Sequence, residues 1–473
     1  MNISEVIAAV NYITNDVLLP LTSIQTAEDV AAAKTKGYAP DFTEKEWKKK
    51  CPNLPADKIY YLPGLNVGMV YYDIEHIIYL NLGILGGKIL YAPQGEDKYE
   101  NSILSAISRQ KEHFKNKEYG HLFIAMPDGL RMDAMKQLLK IEGPSPVFYK
   151  TFMEQYTVAN FTAATLAPEV LNALPISKDE QQKAATRKKL DEAFPNSEVI
   201  TVYRGGADKS TPASSALSWS PDINVAVFFA SRLGKNGIIL SGEVKKEDVI
   251  EYFTGHDDEG AEHELIIRPG TVELKDSIRL FDMDDTVIQN MTRKVRDLYW
   301  DMADTLQTLY PGSRSDCHDS MHSLRVLFLS LLIGELSGCT LAELRKIAEA
   351  AIYHDCGRTD DGENETHGAA SSRVYRNRGG KDKMVAFAIT THCIDDDKAR
   401  DMMIRKFPES AHKTVWRIVS VLKDADALDR VRFGIHDVNG SYDGLDVRFL
   451  REEQSIKLVS VAQAALRHLT FPK

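Results

Sequence analysis

The chain has 473 residues, of which 43% are hydrophobic and 27% are charged, and its formal net charge at pH 7 is −10. A chain of this length can form two or three domains, each with its own core, and the composition is typical of globular proteins. The negative charge argues against a nucleic-acid partner and against adsorption to acidic membranes, because phosphate groups are bound by basic surfaces.

The cysteines and the N-terminal segment indicate the compartment. There are 5 cysteines, an odd number, and no Cys-x-x-Cys pair occurs, which favours a reducing compartment over a disulfide framework. The segment MNISEVIAAV has no basic region before an apolar one, so a Sec-type signal peptide is not predicted. No apolar run is long enough for a membrane span. We therefore expect a cytoplasmic protein, or one secreted into a host cell by a system that needs no signal peptide.

Residues 1–140 predict a mixed α/β region of unknown role. Hydrophobic periodicity predicts helices over residues 3–19, 28–34, 99–117 and 128–141. Runs rich in Tyr, Ile, Val and Gly predict strands with turns over residues 58–72 and 77–91, and a further short strand is predicted over residues 121–126. No phosphate-binding fingerprint occurs in this region. We expect it to serve in targeting or substrate recognition.

Residues 141–285 predict a second domain, in which a helical segment leads into three strand-like pieces. The first piece, TVYRGG, carries Arg204; the second, ALSWS, carries Ser218; the third, EHELII, carries Glu262 and Glu264. Side chains alternate between the faces of a strand, so the two glutamates point to the same side. Two carboxylates on one side of a strand, beside an apolar run, are costly unless they serve a function.

This ordered set resembles the Arg-Ser-Glu class of mono-ADP-ribosyltransferases over about residues 145–280. The resemblance implies a β-sandwich with a helical lobe, and an enzyme that transfers ADP-ribose from NAD to a protein acceptor, preferentially to an arginine. Breaking the bond between nicotinamide and ribose develops an oxocarbenium-like cation, which a fixed carboxylate stabilises. The implied carboxylate is that of Glu264.

The same resemblance implies roles for the other residues. Ser218 would hold Glu264 in place, Arg204 would bind the diphosphate side of NAD, and Glu262 would orient or deprotonate the acceptor. The implied NAD-binding set contains three further residues: Gly205, Ser220 and Phe228. Phe228 or the next residue would stack on nicotinamide; ordinary core packing is the alternative, and the sequence favours it.

The stretch RLFDMDDTVIQ at residues 279–289 matches the first motif of haloacid-dehalogenase-type phosphatases, with Asp282 in the position of the nucleophile. That fold needs a long doubly wound remainder, whereas the following residues have a different pattern. We interpret residues 281–289 as the end of the transferase sheet followed by an acidic linker.

From about residue 292 the pattern is strongly helical, and side chains that bind metals cluster near predicted helix ends. The candidate ligands are His322, His354, Asp355, His367, His392, Asp424 and Asp426. Buried imidazoles and carboxylates suit a divalent transition metal that keeps open positions for water.

This region resembles the HD-domain metal-dependent phosphohydrolases, an all-α fold, over about residues 292–440. The matching residues are His322 in HSLRV, His354 and Asp355 in YHDCGR, and an aspartate in LKDADALDR. The family pattern falls on Asp426 for that aspartate, with Asp424 as its rival. The implied metal is Mn, Fe, Mg, Ni or Zn.

Several assignments in this region stay open from the sequence. His367 and His392 fall where two-metal members of the family have extra ligands, and His318 competes with the histidine one helical turn later. Arg358 and Lys423 would bind the phosphate, or they are solvated cations at helix ends. Strands are predicted within residues 438–473, at DVRFL and IKLVS, before a final helix.

The complete sequence therefore predicts an α+β multidomain protein with regions at residues 1–140, 141–285 and 292–473. The predicted function is a mono-ADP-ribosyltransferase fused to a metal-dependent HD phosphohydrolase or phosphodiesterase, in a bacterial toxin or effector. Ubiquitin is one candidate acceptor, because ubiquitin-modifying effectors of the SidE type combine such activities. The alternatives are an HD-type nucleotide phosphohydrolase whose N-terminal half only binds a nucleotide, an NAD glycohydrolase, and an HD fold that has become a binding module.

Overall fold

The computed structural model describes residues 15–40, 42–63, 68–82, 98–124, 126–156, 167–208, 210–232, 235–254, 263–310, 318–359, 365–438 and 440–469. The chain forms two compact units, Met1–Glu192 and Ala193–Lys473. Within the described ranges, each helix is too short or too polar to cross a membrane.

The first unit contains a small antiparallel sheet in the order β1-β2-β3-β4. Its strands are β1 (Leu19–Pro20), β2 (Ile59–Tyr61), β3 (Met69–Asp73) and β4 (Ile78–Asn81). The predicted helix over residues 3–19 is wrong at its described end, where Leu19 instead pairs with Tyr61. Helices α1 (Ala27–Thr35) and α2 (Glu44–Lys50) each begin at a capping box, in which a threonine and an acidic residue three positions later exchange hydrogen bonds.

The chain then becomes helical up to the start of the second unit. The helices are α3 (Lys98–Lys115), α4 (Gly120–Phe123), α5 (Asp128–Glu142), α6 (Pro146–Tyr156), α7 (Pro168–Ser177) and α8 (Glu180–Ala193). The strand predicted over residues 121–126 is wrong, because this segment begins in the helical turn α4. Leu122 and Phe123 are both buried, and a helical turn can direct two adjacent side chains toward one core, whereas a strand directs them to opposite faces.

The second unit begins with two three-stranded antiparallel sheets, in the orders β10-β7-β5 and β6-β9-β8. Their strands are β5 (Val199–Gly206), β6 (Ser218–Trp219), β7 (Ile238–Lys245), β8 (Val249–Phe253), β9 (Glu264–Ile267) and β10 (Glu273–Arg279). The sheets meet where the backbones of Tyr203 and Ser220 exchange hydrogen bonds of 2.7 and 2.9 Å. The β-sandwich of the transferase class stays a prediction.

Helix α9 (Ile223–Arg232) packs closely on strand β5. A Cβ atom at Gly205 would lie only 1.9 Å from the carbonyl oxygen of Ala226 and 2.6 Å from the backbone nitrogen of Ala230. The glycine at this position is therefore required by the approach of the helix to the strand.

The remainder of the second unit is a helical domain. Its helices are α10 (Thr286–Leu309), α11 (Ser320–Leu336), α12 (Leu341–Tyr353), α13 (His367–Asn377), α14 (Lys383–Thr391), α15 (Asp396–Lys406), α16 (Glu409–Asp429) and α17 (Val459–His468). Helix α11 is buried over most of its length and packs against α10, α12 and α16. This central position explains why α11 is apolar on nearly all sides.

The strands predicted near the C-terminus are wrong. Val447–Phe449 and Ser455–Leu458 are 3₁₀ turns, and α17 follows the second turn directly. Between the turns, the backbone N–H groups of Arg451 and Glu452 donate to the buried carboxylate of Asp424. These N–H groups are therefore used in a side-chain contact rather than in a strand ladder.

The sheets and helices of the second unit share one hydrophobic core, which includes residues of α9, β7 and the helical domain. The buried Asn224 side chain reinforces this junction, because it donates to Asp446 Oδ1 and accepts from the backbone N–H of Val447, both at 3.0 Å. The linker predicted within residues 281–289 is short, because β10 ends at Arg279 and α10 already begins at Thr286. Within it, the Asp282 carboxylate accepts the backbone N–H of Asn236, which follows α9. The sheets and the helical domain therefore form one packed body.

Candidate metal centre

The first histidine of the centre is positioned by the start of helix α11. Asp319 caps this helix, and its carboxylate accepts the backbone N–H of His322 at 2.8 Å. The His322 side chain is fully buried, and its Nδ1 lies 2.8 Å from Oδ2 of Asp429. A carboxylate with a pKa below its usual range only accepts hydrogen bonds, so Nδ1 carries the proton and Nε2 faces the centre.

Two further histidines lie at the C-terminal ends of helices and are oriented in the same way. His354 follows α12, and its Nδ1 donates to the carbonyl oxygen of Ala351 at 2.7 Å. His392 follows α14, and its Nδ1 donates to the carbonyl oxygen of Ile389 at 2.8 Å. A carbonyl oxygen cannot donate, so both imidazoles present an unprotonated Nε2 when they are neutral.

We call the first group of converging side chains subsite 1; it consists of His322, His354, Asp426 and one oxygen of Asp355. The Nε2 atoms of His322 and His354 are 3.1 Å apart. Asp426 Oδ1 is 3.3 Å from Nε2 of His322, and Asp355 Oδ2 is 3.6 Å from the same nitrogen. Two nitrogen acceptors this close repel unless a proton or a cation lies between them.

We call the second group subsite 2; it consists of His367, His392 and the other oxygen of Asp355. The Nε2 atoms of His367 and His392 are 2.9 Å apart, and each lies 3.3 Å from Asp355 Oδ1. Asp355 therefore faces subsite 1 with Oδ2 and subsite 2 with Oδ1. Its carboxylate is the element shared by both groups.

The donor set fits a divalent metal. The Asp355 carboxyl is buried, and its Oδ1 makes no hydrogen bond of acceptable geometry among the described residues, although two imidazole nitrogens are near it. A buried carboxylate oxygen that lies near two imidazole nitrogens without a well-aligned hydrogen bond is costly unless a proton or a metal cation lies between these atoms. Four imidazoles and two carboxylates are ligands that Mn, Fe, Co, Ni and Zn accept.

The structure distinguishes the two aspartates that the sequence left as rivals. Asp426 lies at subsite 1, and its side chain is 33% exposed, so the centre opens toward solvent on that side. Asp424 is fully buried and accepts from the backbone nitrogens of Arg451 and Glu452 and from the Ser455 hydroxyl, at 2.9, 2.7 and 2.8 Å. Asp424 thus binds the segment at residues 451–455 to α16 by hydrogen bonds and belongs to neither subsite.

The remaining candidates lie around the centre in different roles. His318 places Nδ1 2.7 Å from Asp355 Oδ2, so it contacts the shared carboxylate. Arg358 lies beside subsite 2, with Nη1 3.4 Å from both ring nitrogens of His367. The Lys423 amino group is buried and donates hydrogen bonds to the backbone oxygen of Ile394 and to the Asp396 carboxylate. It therefore connects α16 with the start of α15 and is not directed at a phosphate site.

Sequence reasoning missed Asp429, which supports the first histidine. Its carboxylate is fully buried and accepts from His322, from Arg432 Nη1 at 2.8 Å and from two nitrogens of Arg325 at 2.5 and 2.9 Å. The spacing in DADALD could have identified Asp429 as a candidate, because it lies three positions after Asp426 and therefore on the same face of the helix. In metal sites, the imidazole nitrogen that does not bind the metal commonly donates a hydrogen bond to a carboxylate, which orients the ring.

We expect Asp429→Asn to weaken Mn²⁺ binding by about 10- to 100-fold, because His322 loses the acceptor that fixes its tautomer and orientation. Isothermal titration of the metal-free protein measures this, and a thermal melt verifies that the variant is folded. Asp443→Asn is the control, since Asp443 is 90% exposed and pairs only at 3.9 Å with Arg430. Equal affinities of Asp429→Asn and the wild type would exclude the orienting role.

Metal affinity should rise with pH. Burial lowers the pKa of His322, but hydrogen bonds to Asp426 and Asp429 outweigh it and raise the pKa to about 9. His354 is the opposite case, because burial lowers its pKa to about 4 and leaves it neutral. A metal must therefore displace a proton from His322 at neutral pH, and the affinity of subsite 1 should increase about tenfold per pH unit up to that pKa for the one proton released.

Titrations with Mn²⁺ at several pH values between 6.5 and 8.5 test this slope. The Asp429→Asn variant should have a flatter profile, because it removes one of the two carboxylates that retain the proton on His322. A pH-independent affinity in the wild type would contradict the proposed competition.

The residues of the predicted NAD site lie on adjacent strands of the two sheets. Arg204 on β5 donates from Nη1 to the backbone oxygen of Ser218 at 2.7 Å. Ser218 pairs with Ile266, and continuing this antiparallel register places Ser220 opposite Glu264, on the same face. Glu264 begins β9 and pairs with Phe253 of β8. Glu262 lies outside the described residues.

The other two residues of that predicted set have structural contacts. Gly205 permits the close approach of α9, as described above. The guanidinium of Arg232 lies over the rings of Phe228 and Phe229, at 4.5 and 4.3 Å from their centroids. Both rings also pack partly buried against the core, which agrees with core packing as the alternative to nicotinamide stacking.

Comparison with protein-family models identifies an HD domain at residues 320–431. This range contains all the residues of subsites 1 and 2, so the predicted HD domain is confirmed. The predicted transferase region stays a prediction. No curated protein and no solved structure matches the chain.

Proposed function

We propose that the HD domain is a metal-dependent phosphohydrolase that cleaves a phosphomonoester or a phosphodiester. The observation that carries this proposal is the position of Asp355, whose two oxygens face two separate groups of imidazole nitrogens. A shared carboxylate between two cation sites is the arrangement needed to act on both the attacking and the leaving oxygen of a phosphoryl group. All candidate ligands are retained, which argues against an inactive binding module.

When bound, a divalent metal would polarise a phosphoryl oxygen and lower the pKa of a water molecule toward neutrality. The protein contributes fixed geometry. Three of the imidazoles are held by hydrogen bonds at Nδ1, and His318 contacts Asp355 Oδ2, so the shared carboxylate is restrained from one side. Side chains held in this way lose little freedom when they bind a ligand.

The protein also offers a path for the substrate and a cation for its phosphate. Asp426 of subsite 1 and the neighbouring His318 have side chains that are 33% and 18% exposed, whereas the other residues of subsite 1 are buried. We therefore expect the substrate to approach from this side. Arg358 lies next to subsite 2 and is partly exposed. Its planar fork of donors suits a phosphate group.

The proposal is tested by assaying metal-free protein against nucleoside monophosphates, cyclic nucleotides and ADP-ribose, before and after addition of Mn²⁺, Fe²⁺, Co²⁺ or Zn²⁺. We expect phosphate or phosphoester release only after metal addition, and its loss in His392→Ala. His468→Ala is the matched control, because His468 is exposed at the end of α17. Hydrolysis that survives both chelation and His392→Ala would contradict the proposal.

As a second activity, we propose that the sheets of the second unit form an NAD site that transfers ADP-ribose to a protein. The support is the strand register, which brings Ser218 and Ser220 alongside Glu264, and the hydrogen bond from Arg204 to the Ser218 backbone. Incubation with NAD and candidate acceptors, including ubiquitin, should give ADP-ribose adducts on arginine that are detected by mass spectrometry. Release of nicotinamide without an adduct would indicate an NAD glycohydrolase instead.

The matched pair for this test is Glu264→Gln and Glu273→Gln. Glu273 is an exposed residue of β10, so its variant should keep full activity, whereas the Glu264 variant should lose it. Absence of adducts and of nicotinamide release in the wild type would leave the HD hydrolase as the activity of the chain. An adduct that is shortened only when His354 and Asp355 are intact would indicate that the two sites act in series, as in a toxin or effector.

A further inference from the structure

Subsite 2 differs from subsite 1 in having a sulfur atom beside it. Cys393 directly follows His392 at the end of α14. Its sulfur and one ring nitrogen each of His367 and His392 all lie within 4.8 Å of one another. The thiol is partly buried and donates to the backbone oxygen of Glu365 at 3.4 Å.

Helix packing explains why the sulfur lies there. The first turn of α13 passes directly over the end of α14 at Gly368. A Cβ atom at Gly368 would be 2.7 Å from the carbonyl oxygens of Ile389 and Thr390, and 3.0 Å from the Cys393 sulfur. The absence of a side chain at Gly368 therefore allows the approach that brings Cys393 toward His367.

We propose that Cys393 provides a thiolate ligand to subsite 2 and makes this subsite selective for thiophilic divalent metals. The inference rests on the proposed metal centre and specifies its second position. Subsite 1 offers imidazoles and carboxylates only, whereas subsite 2 offers two imidazoles, a shared carboxylate and a thiolate. Thiolates favour Zn²⁺, Co²⁺ or Fe²⁺ over Mg²⁺ and Mn²⁺. The thiol proton is released to solvent when the metal binds.

The chain contains a matched control for this assignment. Cys356 follows Asp355 as Cys393 follows His392, but its sulfur is directed toward the backbone oxygen of Ser371, at 3.9 Å. It belongs to neither group of ligand atoms described above.

The experiment is a Co²⁺ titration of the metal-free full-length protein, followed by absorption spectroscopy. Visible ligand-field bands report cobalt bound by any of the ligands, whereas a near-ultraviolet thiolate-to-cobalt charge-transfer band reports a sulfur ligand. We expect both signals in the wild type and in Cys356→Ser. Cys393→Ser should lose only the charge-transfer band, and its Zn²⁺ affinity at subsite 2 should fall by at least about tenfold.

Alkylation of the wild-type protein gives a second readout that needs no variant. Stoichiometric Zn²⁺ should protect Cys393 from iodoacetamide, as measured by peptide mass spectrometry, and Mg²⁺ should not. A charge-transfer band that persists in Cys393→Ser, or visible bands without a charge-transfer band in the wild type, would refute the thiolate ligand and leave the metal centre intact. Absence of any cobalt signal would refute both.

Discussion

Asp355→Ala should lower the hydrolytic kcat by about a thousandfold or more, corresponding to a loss of ~4 kcal/mol of transition-state stabilisation. The physical reason is that Asp355 is shared. One oxygen lies 3.5 and 3.6 Å from Nε2 of His354 and His322, and the other lies 3.3 Å from Nε2 of His367 and of His392. Its removal takes one carboxylate ligand from each subsite at once, and it leaves the two imidazoles of subsite 2 without the carboxylate that lies near both.

The measurement is kcat for the best substrate of the metal-loaded protein, together with its metal content. Asp397→Ala is the control, because Asp397 is an exposed aspartate of α15 in the same helical domain. The control should behave as the wild type. Retention of more than about a tenth of the wild-type kcat by Asp355→Ala would contradict its role as the shared ligand, because removal of a direct ligand should cost more than the loss of a supporting residue.

Asp424→Ala and Asp426→Ala should have opposite phenotypes, although the residues are only two positions apart in α16. Asp424→Ala should lower the free energy of unfolding by roughly 3 kcal/mol, because the buried N–H groups of Arg451 and Glu452 and the Ser455 hydroxyl lose their acceptor. Its metal binding should survive. Asp426→Ala removes the oxygen 3.3 Å from His322 Nε2, so it should lose metal and activity while remaining folded.

Denaturant unfolding and metal titration of the two variants provide the comparison, and each variant is the matched control for the other. If Asp424→Ala lost the metal without a change in stability while Asp426→Ala kept it, the assignment of the two aspartates would be reversed. If both variants lost stability equally, the separation of structural and metal-binding roles would be refuted.

The candidate ligands of the HD domain could be named from the sequence because they occur in short motifs near predicted helix ends. In the structure, His354, Asp355, His367 and His392 lie where α12, α13 and α14 begin or end. Motifs of this kind do not show which of two nearby aspartates on one helix is a ligand and which binds a distant segment of the chain. The choice between Asp424 and Asp426 depended on the turn at Arg451, which lies beyond the motif.

Asp429 and Cys393 were missed for a related physical reason. Their roles follow from contacts between helices: Asp429 meets His322 and Arg325 of α11, and Cys393 approaches His367 because Gly368 lets two helices come close. Sequence periodicity describes one helix at a time and carries no information on which neighbour it meets. The same limit explains the error over residues 121–126, because a short apolar run does not show whether its side chains reach the core from a strand or from a helical turn.

The proposed two-metal centre that shares Asp355 is tested most directly by the metal content of the protein after saturation with Co²⁺ and removal of free metal. We expect about two cobalt ions per chain, the number that a two-metal site holds, and a hydrolytic rate that rises with occupancy. We also expect Asp355→Ala to retain little cobalt. Retention of one cobalt ion or none by the wild type, or of as much cobalt by Asp355→Ala as by the wild type, would contradict a two-metal centre that shares Asp355.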